Sequence, residues 1–481
     1  MIYSAAISLW IFCSVVFTRD IRIKNKLVVI GGSDAGISAS LRAKELSPDT
    51  EVTLILADRY PNFSICGLPF YLSGEVSDWK TLAHCTAGEI EEKGIQLVPD
   101  HRVTAIIPDR KHILATDAEG RSKTFPYDKL VIGTGGVSLV PNLPGIDLPG
   151  VFFLRWMTDS FAFQEYLTIR RPTSIVIIGA GYIGMEMADA MIRRGLSVSV
   201  VEFLPSVLTT FDPALGGIVR TELERQGIQV FTGFAVERIE SSGNRLSVRS
   251  VAADTITADM VLVAVGSRPE TRLARSAGIE TGVKGAICVN RRMETCIPDI
   301  YAAGDCAETY HRLLGKNTYL PLGTTAHKQG RIAGENAVGG NREYPGTLGT
   351  QSVKIFNLVA ARTGLKDNEA LKEGFSPLSV DIETWDHKVY YPHAEKMRIR
   401  ITGDQKTREL LGAQIIGAYG AEVSKRIDTV AASIHNGMTM ESLNDLDLSY
   451  TPPLSSPWDP VQMAAQAWSQ ANRRTDGAES S

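Results

Sequence analysis

Cys66 is the side chain in this sequence with the clearest capacity for chemistry. It stands in the stretch Asn62-Phe63-Ser64-Ile65-Cys66-Gly67-Leu68-Pro69-Phe70-Tyr71, with no second cysteine within four residues and no histidine at metal-ligand spacing. A β-like run at 52–56 precedes it. Gly67 and Pro69 should end regular structure just past the sulfur, in a sharp bend that presents it. A helix starting there would lower the thiol pKa through its N-terminal dipole and leave a reactive thiolate. A buried apolar cysteine is the competing reading, and the commoner fate of single cysteines. The stretch by itself does not choose between them.

Two glycine turns lie on either side of it. The first follows a short apolar strand at 26–30 and reads Gly31-Gly32-Ser33-Asp34-Ala35-Gly36, ahead of a helical run at 37–46. Strand, glycine turn and helix form a dinucleotide-binding unit, although Ser33 stands where the middle glycine of GxGxxG belongs. The carboxylate expected at the end of the next strand is replaced by Leu56, and Asp58 is the nearest acid. The second turn, Gly179-Ala180-Gly181-Tyr182-Ile183-Gly184, is a full fingerprint between a strand at 174–178 and a helix at 185–194. Its following strand ends in Glu202, which can accept hydrogen bonds from a ribose 2′-hydroxyl and would repel a 2′-phosphate. Phe203 and Leu204 offer no compensating cation, so NADH is favoured over NADPH.

The chain has 481 residues, a formal net charge of −4, 44% hydrophobic and 22% charged residues. That describes a multidomain globular protein and argues against nucleic-acid binding, since no basic stripe occurs. Cys13, Cys66, Cys85, Cys288, Cys296 and Cys306 are scattered, without CxxC or metal spacing, which suits a reducing, cytoplasmic setting. Residues 1–18 are uncharged and mostly apolar, and Arg19, Arg22, Lys24 and Lys26 follow. They lack a basic start and a cleavage site. The leader at 1–26 is read as dispensable, with a membrane anchor holding a cytoplasmic body as the alternative.

Further on, residues 127–135 read as a strand leaving its domain through Gly133-Thr134-Gly135. A buried strand at 259–265 closes on Gly266, and Tyr301-Ala302-Ala303-Gly304-Asp305 puts a carboxylate at a strand end, where open α/β sheets bind ligands. A helix is predicted over 323–336. Beyond residue 346 the pattern changes to antiparallel strands (352–356, 397–402, 411–416) and helices (425–436, 440–445). The polar residues 469–481 are expected to be disordered.

Two nucleotide units, the second inserted in the first, followed by an α+β module, resemble the pyridine nucleotide–disulfide oxidoreductases. The resemblance rests on the Gly31 turn, the Gly179 turn with Glu186, Ala264-Val265-Gly266 and Tyr301-Ala302-Ala303-Gly304-Asp305. It implies an α/β fold with two Rossmann-like domains and an α+β dimerisation domain. The implied limits are 27–150 and 271–345 for the FAD-binding domain, 151–270 for the NAD(P)H-binding domain and 346–468 for dimerisation. FAD is implied at Gly31, Gly32, Ser33, Gly36, Asp58, Gly135, Gly304 and Asp305. NADH is implied at Gly179, Gly181, Tyr182, Ile183, Gly184, Glu202 and Gly266.

Cys66-Gly67-Leu68-Pro69 and the terminal Leu448-Ser449-Tyr450-Thr451-Pro452-Pro453 look like the single-cysteine branch, the coenzyme A-disulfide reductases and NADH oxidases or peroxidases. The resemblance then implies an electron relay from NADH through FAD to a mixed disulfide or sulfenate on Cys66, and on to a small disulfide, persulfide or coenzyme A disulfide. It also implies a homodimer in which Tyr390 and Tyr450 of one chain serve the other's site. Peroxidases of this branch carry a histidine in the first glycine turn, where this chain has Asp34, which counts against a sulfenate cycle. An oxidase, or an electron-transfer reductase with an idle cysteine, are the other readings. Lys93 matches a cationic substrate position, and Arg42 and Lys44 lie close by on the first helix as further candidate substrate cations. Glu45 stands where coenzyme A enzymes have arginine, Trp458 where a lysine is expected, and Ile65 in place of a polar residue. Coenzyme A disulfide is therefore the weaker substrate candidate.

Overall fold

The computed structural model describes residues 25–479. All of the apolar leader except its last two residues, Cys13 included, lies outside the described residues. Among the described residues no helix is long and apolar enough to cross a membrane.

Apolar β-branched runs such as KLVVI and SIVII cannot present a polar face, so they pack inside parallel sheets covered on both sides. Two such sheets form. The first has the strand order Ile300–Ala302, Lys129–Ile132, Lys26–Ile30, Glu51–Ile55, Ile95–Val98, all parallel. The second has the order Gln229–Thr232, Ser197–Glu202, Ser174–Ile178, Met260–Val263, Val151–Phe152, also parallel. The chain builds four strands of the first sheet, then all five of the second, and only then returns with Ile300–Ala302. One nucleotide unit is thus inserted in the other, as the glycine turns imply.

The returning segment also supplies the helix Gly323–Ala337, which lies against the first-unit helix Asp34–Leu46. Their backbones nearly touch. A Cβ on Gly330 would stand 2.2 Å from the Ala35 carbonyl oxygen, and one on Gly334 2.2 Å from that of Ala39.

The third sheet is antiparallel, in the order Gln351–Ile355, Leu358–Gly364, Leu410–Ala418, Lys396–Asp404, Pro377–Trp385. The helix Val423–His435 packs on its central strands, and Pro460–Glu479 packs on Lys396–Asp404 and Pro377–Trp385. Expected disorder from residue 469 onward is corrected here, because that last helix continues to Glu479. Val461, Ala464, Ala465 and Trp468 form a buried stripe at helical spacing. The Trp468 indole N–H donates to the Leu378 carbonyl at 2.9 Å, and Asn472 one turn on is also buried. An anchored helix carries its polar continuation with it. Residues 480–481 lie outside the described residues.

Candidate active site

The two glycine turns share one geometry. Gly31 (φ +103°) and Gly179 (φ +106°) take a left-handed turn so close to the neighbouring strand that a Cβ would lie 2.1 Å from Gly133 O and 2.5 Å from Ala264 O. Gly36 and Gly184 let the helix start against that turn, with Cβ positions only 1.8 and 2.0 Å from the Gly31 and Gly179 carbonyls. The middle positions explain why Ser33 is tolerated. Ser33 has φ −96°, ψ −166° and Gly181 has φ −80°, ψ −170°, both extended, so neither needs glycine's freedom. Nothing lies within 4 Å of a Cβ on Gly181, which leaves an open cradle for a diphosphate at a helix N-terminus. Tyr182 and Ile183 open that helix. Burial pushes the Tyr182 phenol up to about 12. Ile183 is exposed.

Glu202 ends its strand as expected. Its Oε2 accepts the Ala180 N–H and its Oε1 the Leu204 N–H, both at 2.8 Å. Each oxygen keeps further acceptor capacity for ribose hydroxyls. Phe203 beside it is 70% exposed and carries no charge. Gly266 (φ +111°) and Gly135 (φ +67°) leave open backbone beyond their strands.

The carboxylates of the first unit divide. Asp58 serves its own turn: Oδ1 accepts the Tyr60 N–H at 2.9 Å, and burial raises its pKa. Leu56 is buried and reaches over Gly32, whose Cβ would be 2.2 Å from Leu56 Cδ2. Asp305 by contrast is held out at the strand end by Gly304 (φ +82°), whose N–H donates to Gln329 Oε1 at 2.9 Å. Its Oδ2 receives Arg155 Nη2 at 2.5 Å. Open glycine backbone, a helix N-terminus and a fixed carboxylate at a strand end fit a dinucleotide flavin.

Cys66 lies in a 3-10 turn, Ile65–Gly67, that runs into the six-residue helix Leu68–Ser73. The expectation that Pro69 ends regular structure is corrected: it occupies the first helical turn, where its missing N–H costs nothing. Leu68 and Leu72 are buried among Met185, Met187 and Ala188 of the helix Tyr182–Arg193, and Arg194 Nε donates to the Leu72 carbonyl at 2.5 Å. The opposite flank is held by Tyr60, Phe63, Trp79 and Phe161, whose rings meet edge-on or tilted at 5.1–5.9 Å. The cysteine loop of the first unit is therefore seated on the second, and the sulfur stands at the seam between the two cradles.

The predicted depressed thiol pKa is also corrected. Cys66 is exposed as a residue, yet the protein crowding its sulfur raises the pKa, and Glu186, Asp34 and Asp305 raise it further. Arg155 opposes them. A single turn of 3-10 backbone and a short helix are too little dipole to outweigh that burial and three carboxylates. Glu186, noted in the sequence only as part of a motif, is itself pushed up to about 7 by burial and by Asp189, with Lys354 acting against the shift. Arg155, Glu186 and His327 are site residues that sequence reasoning did not single out. Only Glu186 carried a signal, its place two residues after the second fingerprint. Cys306 is fully buried, as a structural cysteine should be.

The cations named for substrate are differently placed. Arg42 binds Glu335 at 2.7 Å and Glu45 at 2.8 Å and is largely covered. Lys44 donates to the Pro48 and Thr50 carbonyls. Lys93 caps the helix Ala87–Glu92 and is exposed. Tyr390 (71% exposed) and Tyr450 (43%) lie beside each other on the surface of the C-terminal module, where Tyr391, Leu454 and Trp458 are also exposed.

This arrangement of two nucleotide cradles, a seam cysteine and a separate α+β module defines a class, and comparison with known proteins agrees. The family model described as pyridine nucleotide-disulphide oxidoreductase matches residues 25–330, and the one for the dimerisation domain of the same enzymes matches 350–460. The chain belongs to the pyridine nucleotide-disulphide oxidoreductase family and is a flavoenzyme using FAD and a nicotinamide nucleotide. It is 35% identical to a CoA-dependent NAD(P)H sulfur oxidoreductase of Pyrococcus furiosus over 92% of this chain and 99% of the relative. Among solved structures, the reduced CoADR-RHD of Bacillus anthracis superposes with a TM-score of 0.91 at 31% identity, covering 94% of this chain and 81% of that one. A NAD-dependent persulfide reductase from A. fulgidus gives 0.89 at 33% identity, covering 94% and 84%.

Proposed function

We propose that the protein uses NADH to reduce a small disulfide, persulfide or polysulfide through Cys66. The observation that carries this reading is the seating of the Cys66 helix on the helix that opens the second cradle, since it puts one sulfur between both nucleotide sites. FAD, held by the Gly31 turn with Asp305, would supply the conversion of a nicotinamide hydride into the electron pair that sulfur accepts. The chain's own part begins with the Cys66 thiolate. It attacks one substrate sulfur, a mixed disulfide forms, and the other sulfur leaves as a thiolate that takes a proton. Reduction of the mixed disulfide by two electrons breaks its S–S bond, returns Cys66 to thiolate and releases the first substrate sulfur as a second thiolate, which takes a proton. Arg155, at the same seam, favours that charge.

The Tyr390–Tyr450 pair is suited to giving the proton to the leaving sulfur. It would do so from the partner of a homodimer joined through the C-terminal modules, on which both phenols are exposed. The relatives' names include coenzyme A, but here Arg42 and Lys44 of the first helix are already engaged and Glu45 adds a negative charge. This supports coenzyme A disulfide as a weaker substrate than an uncharged or inorganic sulfur species. The five described cysteines are all free, which supports a reducing, cytoplasmic setting.

The test is Cys66→Ser. FAD content and reduction of the bound flavin by NADH should stay as in the wild type, while anaerobic NADH consumption with cystine, coenzyme A disulfide and polysulfide should fall to background. Normal disulfide turnover by the serine variant would sink the relay and favour a redox-protein acceptor. NADH consumption only on readmitting oxygen would favour an oxidase.

A further inference from the structure

The first glycine turn carries an acid, Asp34, at the start of a helix that would cradle a diphosphate. The redox loop is tied to that turn, the Asn62 N–H donating to the Gly32 carbonyl at 2.7 Å, and Asp34 opposes the ionisation of Cys66. An uncompensated carboxylate is a poor neighbour for both groups. The fold brings it a partner from far along the chain. The crossing of Asp34–Leu46 with Gly323–Ala337, fixed by the near-contact of Gly330 with Ala35, sets His327 against the glycine turn. Its Nε2 lies 3.3 Å from Asp34 Oδ1 and its Nδ1 2.8 Å from Ser38 Oγ.

We propose that His327 is a positioning residue for the redox cysteine: paired with Asp34, it offsets the charge of that carboxylate and so sets the field in which the Cys66 thiolate forms. The inference deepens the proposed function and rests on Cys66 being the reactive sulfur.

Three elements face the imidazole. The first helix contributes Asp34 and Ser38, and one turn further the Arg42–Glu45 pair. The segment after the redox loop contributes His84, whose ring centre is 6.5 Å from that of His327 and whose backbone N–H donates to the Asn62 carbonyl at 3.0 Å. Its own helix contributes the exposed Lys328, and Arg331, which is engaged by Glu45 at 3.4 Å. Asp34 is thus the anion that His327 meets directly. Hydrogen bonding to it holds the imidazole protonated above its ordinary range. While that proton is held the pair is neutral. When it is lost, Cys66 must ionise against a bare carboxylate.

The test follows iodoacetamide labelling of Cys66 in the FAD-loaded, prereduced enzyme from pH 5 to 9, read by peptide mass, for wild type, His327→Gln, His327→Lys, Asp34→Asn and the Asp34→Asn/His327→Gln double variant. For His327→Gln the profile should move to higher pH, with labelling at pH 7 roughly three- to ten-fold slower, the equivalent of half to one pKa unit. His327→Lys, which keeps a cation, should restore wild-type labelling at pH 7, and above the titration of the imidazole it should label at least as fast as wild type. The Asp34→Asn profile should move to lower pH, and the double variant should coincide with it, because no charge is left to offset. A His327→Gln profile identical to wild type would overturn the proposal, as would an equal slowing on the Asp34→Asn background. Labelling that follows the expected pattern in an enzyme that turns over no disulfide or persulfide would instead count against the proposed function and leave the dyad standing.

Discussion

Arg155 Nη2 lies 2.5 Å from Asp305 Oδ2 although 150 residues separate the two. Arg155 follows the first strand of the inserted unit, and Asp305 follows the strand with which the chain returns to the first sheet. Both side chains are about four-fifths covered, at 20% and 18% exposure, so each is costly to leave without its partner. The pair fixes the entry into the second unit against the carboxylate of the first, with the Cys66 sulfur in the field of both.

Arg155→Met is therefore expected to weaken FAD retention by roughly ten- to hundred-fold, corresponding to about 1.5–3 kcal/mol for a lost charge-assisted contact. It should also move Cys66 labelling to higher pH, since the cation that favours the thiolate is gone. Release of flavin fluorescence on dilution measures the first effect. Unchanged flavin retention would show that Asp305 does not depend on its partner.

Glu202→Ala should lower the preference for NADH over NADPH by at least about ten-fold, the equivalent of ~1.4 kcal/mol, by removing both an acceptor for the ribose hydroxyls and the repulsion of a 2′-phosphate. Stopped-flow reduction of the bound flavin with each nucleotide gives the ratio. A wild-type enzyme that prefers NADPH would show this reading of Glu202 to be wrong.

Tyr450→Phe and Tyr390→Phe should each lower disulfide turnover by roughly ten- to hundred-fold, within the range of a lost general acid, and leave flavin reduction by NADH unchanged. Because the two phenols are neighbours proposed to serve one proton transfer, the double variant should lose little more than the worse single one. Sedimentation should show a dimer in every case; an active wild-type monomer would remove the partner-supplied role.

Glu186 predicts a pH dependence of stability. Burial raises its folded pKa from 4.5 to about 7, so the folded state holds a proton that the unfolded chain has already released. Its contribution is complete below about pH 4.5, falls as pH rises, and is lost above pH 7, a change on the order of 3 kcal/mol. Glu186→Gln should flatten that dependence and be relatively more stable than wild type at pH 8. Urea unfolding of both proteins at pH 5 and pH 8 decides it, and parallel losses in the two would show the carboxyl to be ordinary.

Local patterns settled much of this protein before any coordinates. A Cβ-free turn against a strand can be made only by glycine, so Gly31, Gly36, Gly179 and Gly184 announced two nucleotide units and their order. The Glu202 strand end and the Gly304-Asp305 strand end were equally plain, because a carboxylate's place at the end of an apolar run is a local fact. The edge strand Pro377–Trp385 was not visible: half-exposed along most of its length, it has no continuous apolar run to mark it. The last helix was misread because its anchor, Trp468 on Leu378, is a contact between distant segments. The same reason covers the site. Whether Cys66 is a free thiolate or a thiol held up by burial depends on Glu186, Asp34, Asp305 and Arg155, which the sequence scatters over 271 positions and only the packing of two units brings to one sulfur. His327 beside Asp34 is likewise a product of one helix crossing, and so is the ion pair in which Glu335 reaches Arg42 across it.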